Sequence, residues 1–156
     1  MKQKSLKINK KKTKLKLRLA NNQDLLFVFN LYNKNILEKK FFSSKQVSLF
    51  SHKSWFNNII KKKMLYICSL QERLGYIRFD KINNKNLSIS IAIVDKYKRR
   101  GFGRNMIIKA LNKKKILKYN IWAKVKKTNN VSKKFFLNSG FKLVKNNHFL
   151  NKSKLN

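Results

Sequence analysis

The spacing of apolar residues changes along the chain, and each change predicts a different element. Apolar and basic residues alternate over residues 15–19, which is typical of a half-buried strand, and helical spacing begins at Leu25 and returns over residues 48–60. Two β-rich runs, residues 64–70 and 74–80, predict strands joined by a polar turn. The apolar face predicted for the first helix consists of Leu25, Leu26, Phe29 and Tyr32.

The C-terminal half begins with a β-branched run over residues 89–94, which is typical of a largely buried strand. A basic segment with two glycines follows it. The remaining predicted elements are a helix over residues 103–115, a strand over 120–125, a helix over 130–138 and a strand or hairpin over 141–150. This mixed order predicts the α/β class, as an α+β sandwich with a largely antiparallel, mixed central sheet and helices on both faces.

The basic segment before the third helix has the features of an anion site. Gly101 and Gly103 lack a Cβ atom, so the backbone can turn and a ligand can approach, and the helix that follows offers free N–H groups. Two glycines without a Gly-Lys-Ser/Thr ending disfavour a P-loop and a dinucleotide fingerprint. A plain strand-to-helix turn is the alternative. The basic side chains around the turn are Lys98, Arg99, Arg100 and Arg104.

The net charge of the chain is extreme, with 40 Lys and Arg residues against 5 Asp and Glu residues. Such a charge favours nucleic acid or an anionic membrane surface as a nonspecific partner. The enriched Lys, Asn, Ile and Phe residues all have A/T-rich codons, however, and proline is absent. A base-composition bias therefore explains the charge equally well.

The length of 156 residues predicts one domain, residues 15–156, after a lysine-rich tail over residues 1–14 that we expect to be disordered. No apolar run approaches the ~20 residues of a membrane span, and no signal peptide is visible, which favours the cytoplasm. Cys68 lies in an apolar strand and is expected to be a buried, inert thiol. No metal site is expected, and a monomer and a homodimer both stay open.

Two blocks with fixed internal spacing give the chain a family resemblance. Lys98-Arg99-Arg100-Gly101-Phe102-Gly103 resembles the Arg/Gln-x-x-Gly-x-Gly/Ala loop of the GNAT family of N-acetyltransferases, with a conservative change at its first position. The family's second block is matched by Asn129, Ser132, Phe136, Gly140 and Phe141. The resemblance covers residues 15–150 and implies the GNAT fold and transfer of an acetyl group from acetyl-CoA to an amine.

The resemblance also implies how acetyl-CoA would be held. Main-chain groups of Ile91, Ala92 and Ile93 would pair with the pantetheine arm, and Asn129 with Ser132 would contact the coenzyme. The pyrophosphate would lie on the loop formed by Lys98, Arg99, Arg100, Gly101, Phe102, Gly103 and Arg104.

The catalytic groups are unknown from the sequence. The family usually has a proton-donating tyrosine at the position of Phe136, and phenylalanine cannot donate. Ser132, Asp80 and Asp95 are the candidates that remain. Each of the five carboxylates is more simply explained as a surface partner of nearby lysines.

The N-terminal half resembles a narrower branch, which acetylates nucleotide-linked amino sugars in pseudaminic acid synthesis. The stretches that carry this resemblance are Leu31-Tyr32-Asn33, Leu37-Glu38, Val47-Ser48 and His52-Lys53-Ser54-Trp55-Phe56. Tyr32 and Glu38 replace the two arginines of the branch pattern. The branch implies a UDP-linked 4-amino-4,6-dideoxy sugar as acceptor, with His52 and Tyr32 as substrate contacts.

Three alternatives remain open at this stage. His52 packed on Trp55 and Phe56 would be purely structural. The acceptor of the enzyme would instead be a protein N-terminus of the ribosomal-protein type. The chain would otherwise be a non-catalytic, basic nucleic-acid-binding protein on the same scaffold.

Overall fold

A seven-stranded sheet forms the centre of the computed structural model, which describes residues 14–38 and 45–153. The sheet order is β1-β2-β3-β4-β5-β7-β6, and every neighbouring pair is antiparallel except β4 and β5. The predicted mixed, largely antiparallel sheet is therefore confirmed. The strands are β1 (Lys16–Leu19), β2 (Leu65–Ser69), β3 (Arg73–Lys81), β4 (Asn86–Ile93), β5 (Asn120–Lys124), β6 (Lys142–Lys145) and β7 (His148–Asn151).

Four α-helices cover the two faces of this sheet. They are α1 (Leu25–Leu37), α2 (Leu49–Lys61), α3 (Phe102–Leu111) and α4 (Asn130–Asn138). The α2 residue Trp55 packs under Arg78 on one face, with 5.3 Å from the guanidinium carbon to the ring centroid. The α3 residue Met106 lies against Gly75 on the opposite face. Helices on both faces are thus confirmed, and β3 runs through the core between them.

Short polar side chains cap the start of α2 and the start of the 3-10 helix that precedes α1. The Ser48 hydroxyl accepts the backbone N–H of Ser51 at 3.2 Å and begins α2. Asn21 caps a short 3-10 helix, Asn22–Asp24, that precedes α1. Side-chain capping satisfies N–H groups that have no partner within the helix.

Two sequence predictions about the helices are wrong in detail. The residues of α1 that are buried are Val28, Leu31, Asn35 and Ile36, whereas Leu26 is exposed. Leu25, Phe29 and Tyr32 of the predicted face are half-buried, and the last two contact the ring of His52. Helix α3 ends at Leu111 instead of residue 115, because the turns that follow bring Ile116 into the core.

The prediction that every carboxylate is a surface partner of lysines is wrong at Asp24. This residue is fully buried and pairs with two arginines, Arg18 and Arg73. Arg18 lies in β1, six residues before Asp24, and Arg73 begins β3, 49 residues after it. Folding therefore brings the two strands to one carboxylate. The other four acidic residues do pair with Lys or Arg at more open positions.

Other predictions concern single segments. Cys68 is buried, as predicted, and burial raises the pKa of its thiol to about 12, so it stays protonated. No helix in the described ranges is long and apolar enough to cross a membrane. Residues 1–13, which make up nearly all of the predicted disordered tail, lie outside the described residues.

Candidate active site

The sheet opens where β4 and β5 separate. These parallel strands pair at three positions only, which are Asn86–Asn120, Leu87–Ile121 and Ser88–Trp122. Beyond Ser88, β4 continues to Ile93 and pairs with β3 alone. A cavity of about 360 Å³ lies at this opening. It is lined by Tyr32, Tyr76, Arg78, Ser88, Ile89, Ser90, Ile91, Lys124, Val125, Lys126, Asn129, Ser132 and Phe136.

The free edge of β4 includes the residues for which backbone pairing was predicted. Ile91, Ala92 and Ile93 pair with Ile77, Tyr76 and Gly75 of β3, and β5 has already diverged at their level. An extended ligand with amide groups can add to such an edge as a further strand. Ile91 itself lines the cavity.

The start of α4 forms the opposite wall. The Asn129 Oδ1 atom accepts the backbone N–H of Ser132 at 3.0 Å, and both side chains line the cavity. One turn further, the buried ring of Phe136 closes this wall against Phe141, with 5.1 Å between centroids. The two residues of the second sequence block that carry polar groups are thus brought to the cavity, and Phe136 supplies an apolar surface beside them.

The loop before α3 has the backbone of an open turn. Gly101 has φ +77° and Arg99 has φ +60°, and no heavy atom lies within 4 Å of the point where a Cβ atom on Gly101 would sit. Helix α3 begins at the next residue, so its first N–H groups point out of the helix. An anion therefore has room and donors at this position.

The second glycine of the loop serves a different purpose. A Cβ atom on Gly103 would lie 2.8 Å from Ile93 Cδ1 and 2.8 Å from Phe135 Cε2. These contacts are shorter than van der Waals distance. Glycine at 103 is therefore required for packing α3 between β4 and α4, rather than for the approach of a ligand.

The basic side chains of the loop divide into engaged and free groups. Lys98 pairs with Asp95, and the Arg104 Nε atom donates to the Asn138 carbonyl at 3.1 Å. Arg99 and Arg100 are exposed. These two arginines are the cations that can turn toward an anion at the start of α3.

A second, smaller cavity of about 250 Å³ adjoins the first through two shared lining residues, Tyr32 and Arg78. His52 lies in its wall and is 4% exposed, with ring centroids 4.9 Å from Trp55 and 5.3 Å from Phe29. Burial lowers the pKa of His52 to about 4, and the nearby charge of Arg78 contributes. The imidazole is therefore neutral at pH 7.

Sequence comparison identifies the family that this architecture belongs to. The family described as the acetyltransferase (GNAT) domain matches residues 14–142, which is most of the chain. The chain belongs to the GNAT acetyltransferase family. Its predicted fold and its assignment as an acetyl-CoA-dependent N-acetyltransferase are confirmed. No protein of curated function matches the sequence.

Solved structures show the same GNAT fold. Spermidine N-acetyltransferase from Vibrio cholerae, in complex with CoA and spermine, is 21% identical over 87% of this chain and 91% of that one, with a TM-score of 0.70. Ribosomal-protein-alanine N-acetyltransferase from Brucella melitensis is 15% identical over 86% and 94%, with a TM-score of 0.73.

A third GNAT structure is the phosphinothricin acetyltransferase from Sinorhizobium meliloti in complex with acetyl-CoA. It is 15% identical over 84% of this chain and 76% of that one, with a TM-score of 0.74. These three enzymes are named for three different acceptors. The shared fold therefore does not identify the acceptor of this GNAT enzyme.

Of the candidate catalytic residues of this GNAT enzyme, Ser132 alone lines the cavity. Asp80 instead pairs with Arg78, at 2.7 Å between Oδ2 and Nε. Asp95 lies near the surface, where its ion pairs with Lys34 and Lys98 lower the pKa of its carboxyl group. Among the described residues, no group of three or more His, Cys, Asp or Glu side chains could hold a metal ion.

Sequence reasoning missed several residues of the site, of which Tyr76 of β3 is the most buried and Arg78 of β3 the most central to both cavities. Tyr76 is 1% exposed and lines the first cavity, and burial raises the pKa of its phenol. Arg78, two positions further along the same face of β3, lines both cavities. The signal available was Arg78 between the apolar residues Ile77 and Phe79 of β3, and strand alternation explains such a residue equally well as solvent-facing.

Proposed function

We propose that this chain transfers the acetyl group of acetyl-CoA to a primary amine of a nucleotide-linked amino sugar, of the UDP-4-amino-4,6-dideoxy type. The observation that carries the proposal is the arrangement of two adjoining cavities. The first lies at the gap between β4 and β5, and the second has aromatic walls that include Tyr32 and Trp55. The gap would hold the thioester and the amine, and the second cavity would hold the rest of the acceptor.

On the coenzyme side, the proposal uses the loop before α3. The N–H groups at the start of α3 and the exposed Arg99 and Arg100 would hold the pyrophosphate. The open space beside Gly101 fits this role, since no side chain or backbone atom fills it. The free edge of β4 at Ile91–Ile93 would receive the pantetheine amides as an added strand.

The chemistry requires a neutral amine nitrogen to attack the thioester carbon, after which the C–S bond breaks and the thiolate takes up a proton. Ser132 carries the one hydroxyl group of α4, and it lines the cavity. We assign it as the group that gives a proton to the thiolate and takes up the proton that the nitrogen loses as the amide forms. Phe136 keeps the adjacent wall apolar, which excludes water from the reacting atoms.

On the acceptor side, Tyr32 and His52 are proposed to contact the nucleotide part. Tyr32 lies in the wall of both cavities, so its ring can bind the flat face of a base next to the reacting sugar. Its ring centroid is 6.3 Å from that of His52. His52 lies behind it in the second cavity.

Calorimetry tests the coenzyme half of the proposal. Acetyl-CoA titrated at low salt should bind the wild type and a K142Q control alike, because Lys142 is an exposed residue of β6 far from the loop in sequence. The double variant R99Q/R100Q should bind about 10- to 100-fold more weakly, since two charge-assisted contacts to phosphate are lost. If K142Q weakened acetyl-CoA binding as much as R99Q/R100Q does, the loss would reflect net charge and not contacts of the loop with phosphate.

Mass spectrometry tests the acceptor half. Acetylation of a UDP-linked 4-amino sugar, compared with N-terminal peptides of ribosomal proteins, should favour the sugar. A preference for the peptides would overturn the sugar assignment and leave the coenzyme site intact. A chain that binds no acetyl-CoA but binds RNA with a sequence preference that resists salt would be the non-catalytic alternative.

A further inference from the structure

We propose that the second cavity is an anion site that selects acceptors carrying a phosphate or carboxylate group, and that Arg78 is its specificity-determining residue. The inference rests on the proposed function and deepens it by naming the charge class of the acceptor. It concerns a residue that lies between the coenzyme gap and the aromatic cavity.

Arg78 is positioned by an ion pair, a hydrogen bond and a cation–π contact, and its buried Nε atom donates no hydrogen bond to a described residue. Its Nε atom lies 2.7 Å from Asp80 Oδ2, and Nη2 donates to Ser90 Oγ at 3.3 Å. Its guanidinium carbon lies 5.3 Å from the Trp55 ring centroid. Among the described residues, none accepts a hydrogen bond from Nη1. A planar group fixed in this way can donate to a carboxylate or phosphate without losing further freedom.

His52 provides an independent sign of a ligand in the same cavity. Its Nε2 atom is buried and has no hydrogen-bond partner among the described residues. Buried polar nitrogens are normally bonded, so an unbonded one beside a cavity marks the place of a missing acceptor or donor. The Phe29 and Trp55 rings lie at 63° and 50° to the His52 ring, with centroids 5.3 and 4.9 Å away. His52 lines the second cavity, and its Nε2–H tautomer can donate to an anion there.

The charges around both cavities favour the same class of acceptor. None of the five acidic residues of the chain lines either cavity, whereas Arg78, Lys124 and Lys126 do. A polyamine would find no counter-charge here and would be repelled. Asp80 offsets part of the charge of Arg78 but occupies its Nε side. An amine that carries its own anion is attracted to these cations.

Direct binding provides a test that does not depend on catalysis. UDP titrated by calorimetry into the wild type and R78Q, each saturated with CoA so that the loop before α3 is filled, reports on the second cavity alone. R78Q should weaken this UDP binding about 10- to 100-fold. Pyrophosphate and malonate, titrated in the same way, distinguish phosphate from carboxylate recognition. UDP binding that R78Q leaves unchanged would overturn the inference, even if the enzyme proves active.

Kinetics provides the second test. R78Q should lower the ratio of kcat/KM for a UDP-linked 4-amino sugar to kcat/KM for the same sugar without its nucleotide by about 10- to 100-fold. R78K, which keeps the charge but not the fork, should be intermediate. An equal loss for both sugars would contradict a specificity role.

If R78Q does not fold, the substrate preference and the inhibition pattern of the wild type test the inference. The wild type should accept the nucleotide-linked sugar in preference to spermidine, and UDP should inhibit competitively against the amine. A preference for spermidine, or UDP inhibition that competes with acetyl-CoA only, would overturn the inference. Failure of the proposed function has a different signature, which is no acetyl transfer to any of these amines by a wild type that still binds UDP through Arg78.

Discussion

The guanidinium group of Arg18 binds both carboxylate oxygens of Asp24, with 2.6 Å from Nη1 to Oδ2 and 2.8 Å from Nη2 to Oδ1. Asp24 also accepts the backbone N–H of Asn21 at 2.9 Å and lies 3.2 Å from Arg73 Nη1. Burial opposes ionisation, but the hydrogen bonds from Arg18 and Asn21 outweigh it and lower the pKa of Asp24. This carboxylate joins β1 and the start of β3 to the turn before α1.

D24N should therefore lower the free energy of unfolding by about 2–4 kcal/mol, because it removes the charge that two arginines share. Urea unfolding at pH 7 measures the loss. Because the pKa of Asp24 is lowered on folding, its stabilisation is present above the unfolded pKa of about 4 and disappears as the pH falls below it. The variant should lack this acid-dependent loss. E72Q is the control, since Glu72 makes its ion pair at the exposed surface, and it should cost much less.

G103A should destabilise the protein by about 1–3 kcal/mol, because the new methyl group would overlap Ile93 and Phe135. Thermal or urea unfolding measures the change. In an F135L background the same substitution should cost less, since the Phe135 ring is gone and the space can adjust. An undiminished cost in that background would contradict the packing explanation. G101A is a second comparison, since strain at its positive φ is expected without overlap.

The buried His52 should make stability depend on pH near neutrality. Its pKa is about 4 in the folded chain and about 6.5 when unfolded, so the unfolded state binds more protons between these values. Stability is then full above pH 6.5 and falls as the pH drops, by about 2 kcal/mol between pH 7.5 and pH 5. H52F should remove this dependence, and H148Q should keep it. Equal pH dependence in the wild type and H52F would show that His52 is charged in the fold.

S132A should lower kcat at least about tenfold and leave the Kd of acetyl-CoA nearly unchanged, if its hydroxyl delivers the proton to the thiolate. Steady-state kinetics and calorimetry measure the two quantities. D95N should retain full kcat, because Asp95 lies outside both cavities. F136Y in the S132A background should restore part of kcat, since the Phe136 ring lines the cavity and a phenol there can donate. Unchanged kcat in S132A would leave solvent as the proton source.

The parts of the site that sequence reasoning predicted are those formed by local backbone. The turn at Gly101 and the block that begins at Asn129 need particular residues at fixed spacing, so a single sequence displays them, whereas the capping role of Asn129 was seen only in the structure. The alternation of elements likewise predicted the sheet and the helices on both faces.

The missed features depend on residues far apart in the chain. Arg78 becomes part of the site because Trp55, on a helix from an earlier segment, packs against it. Asp24 becomes buried because Arg73, 49 residues later, reaches it. Strand alternation and helical spacing do not predict contacts between distant residues. The end of α3 likewise depends on the packing of Ile116 in the core.

All five acidic side chains of this protein have cationic partners, from the buried Asp24 to the exposed Glu72. The acidic residues therefore neutralise only a small part of the positive charge, and the formal net charge is +35 at pH 7. Anionic coenzymes would be drawn in from every direction and would arrive faster than free diffusion of a neutral molecule allows. The association rate constant for acetyl-CoA would then fall steeply as ionic strength rises. The rate at which the enzyme binds its coenzyme would therefore depend on the salt concentration around it.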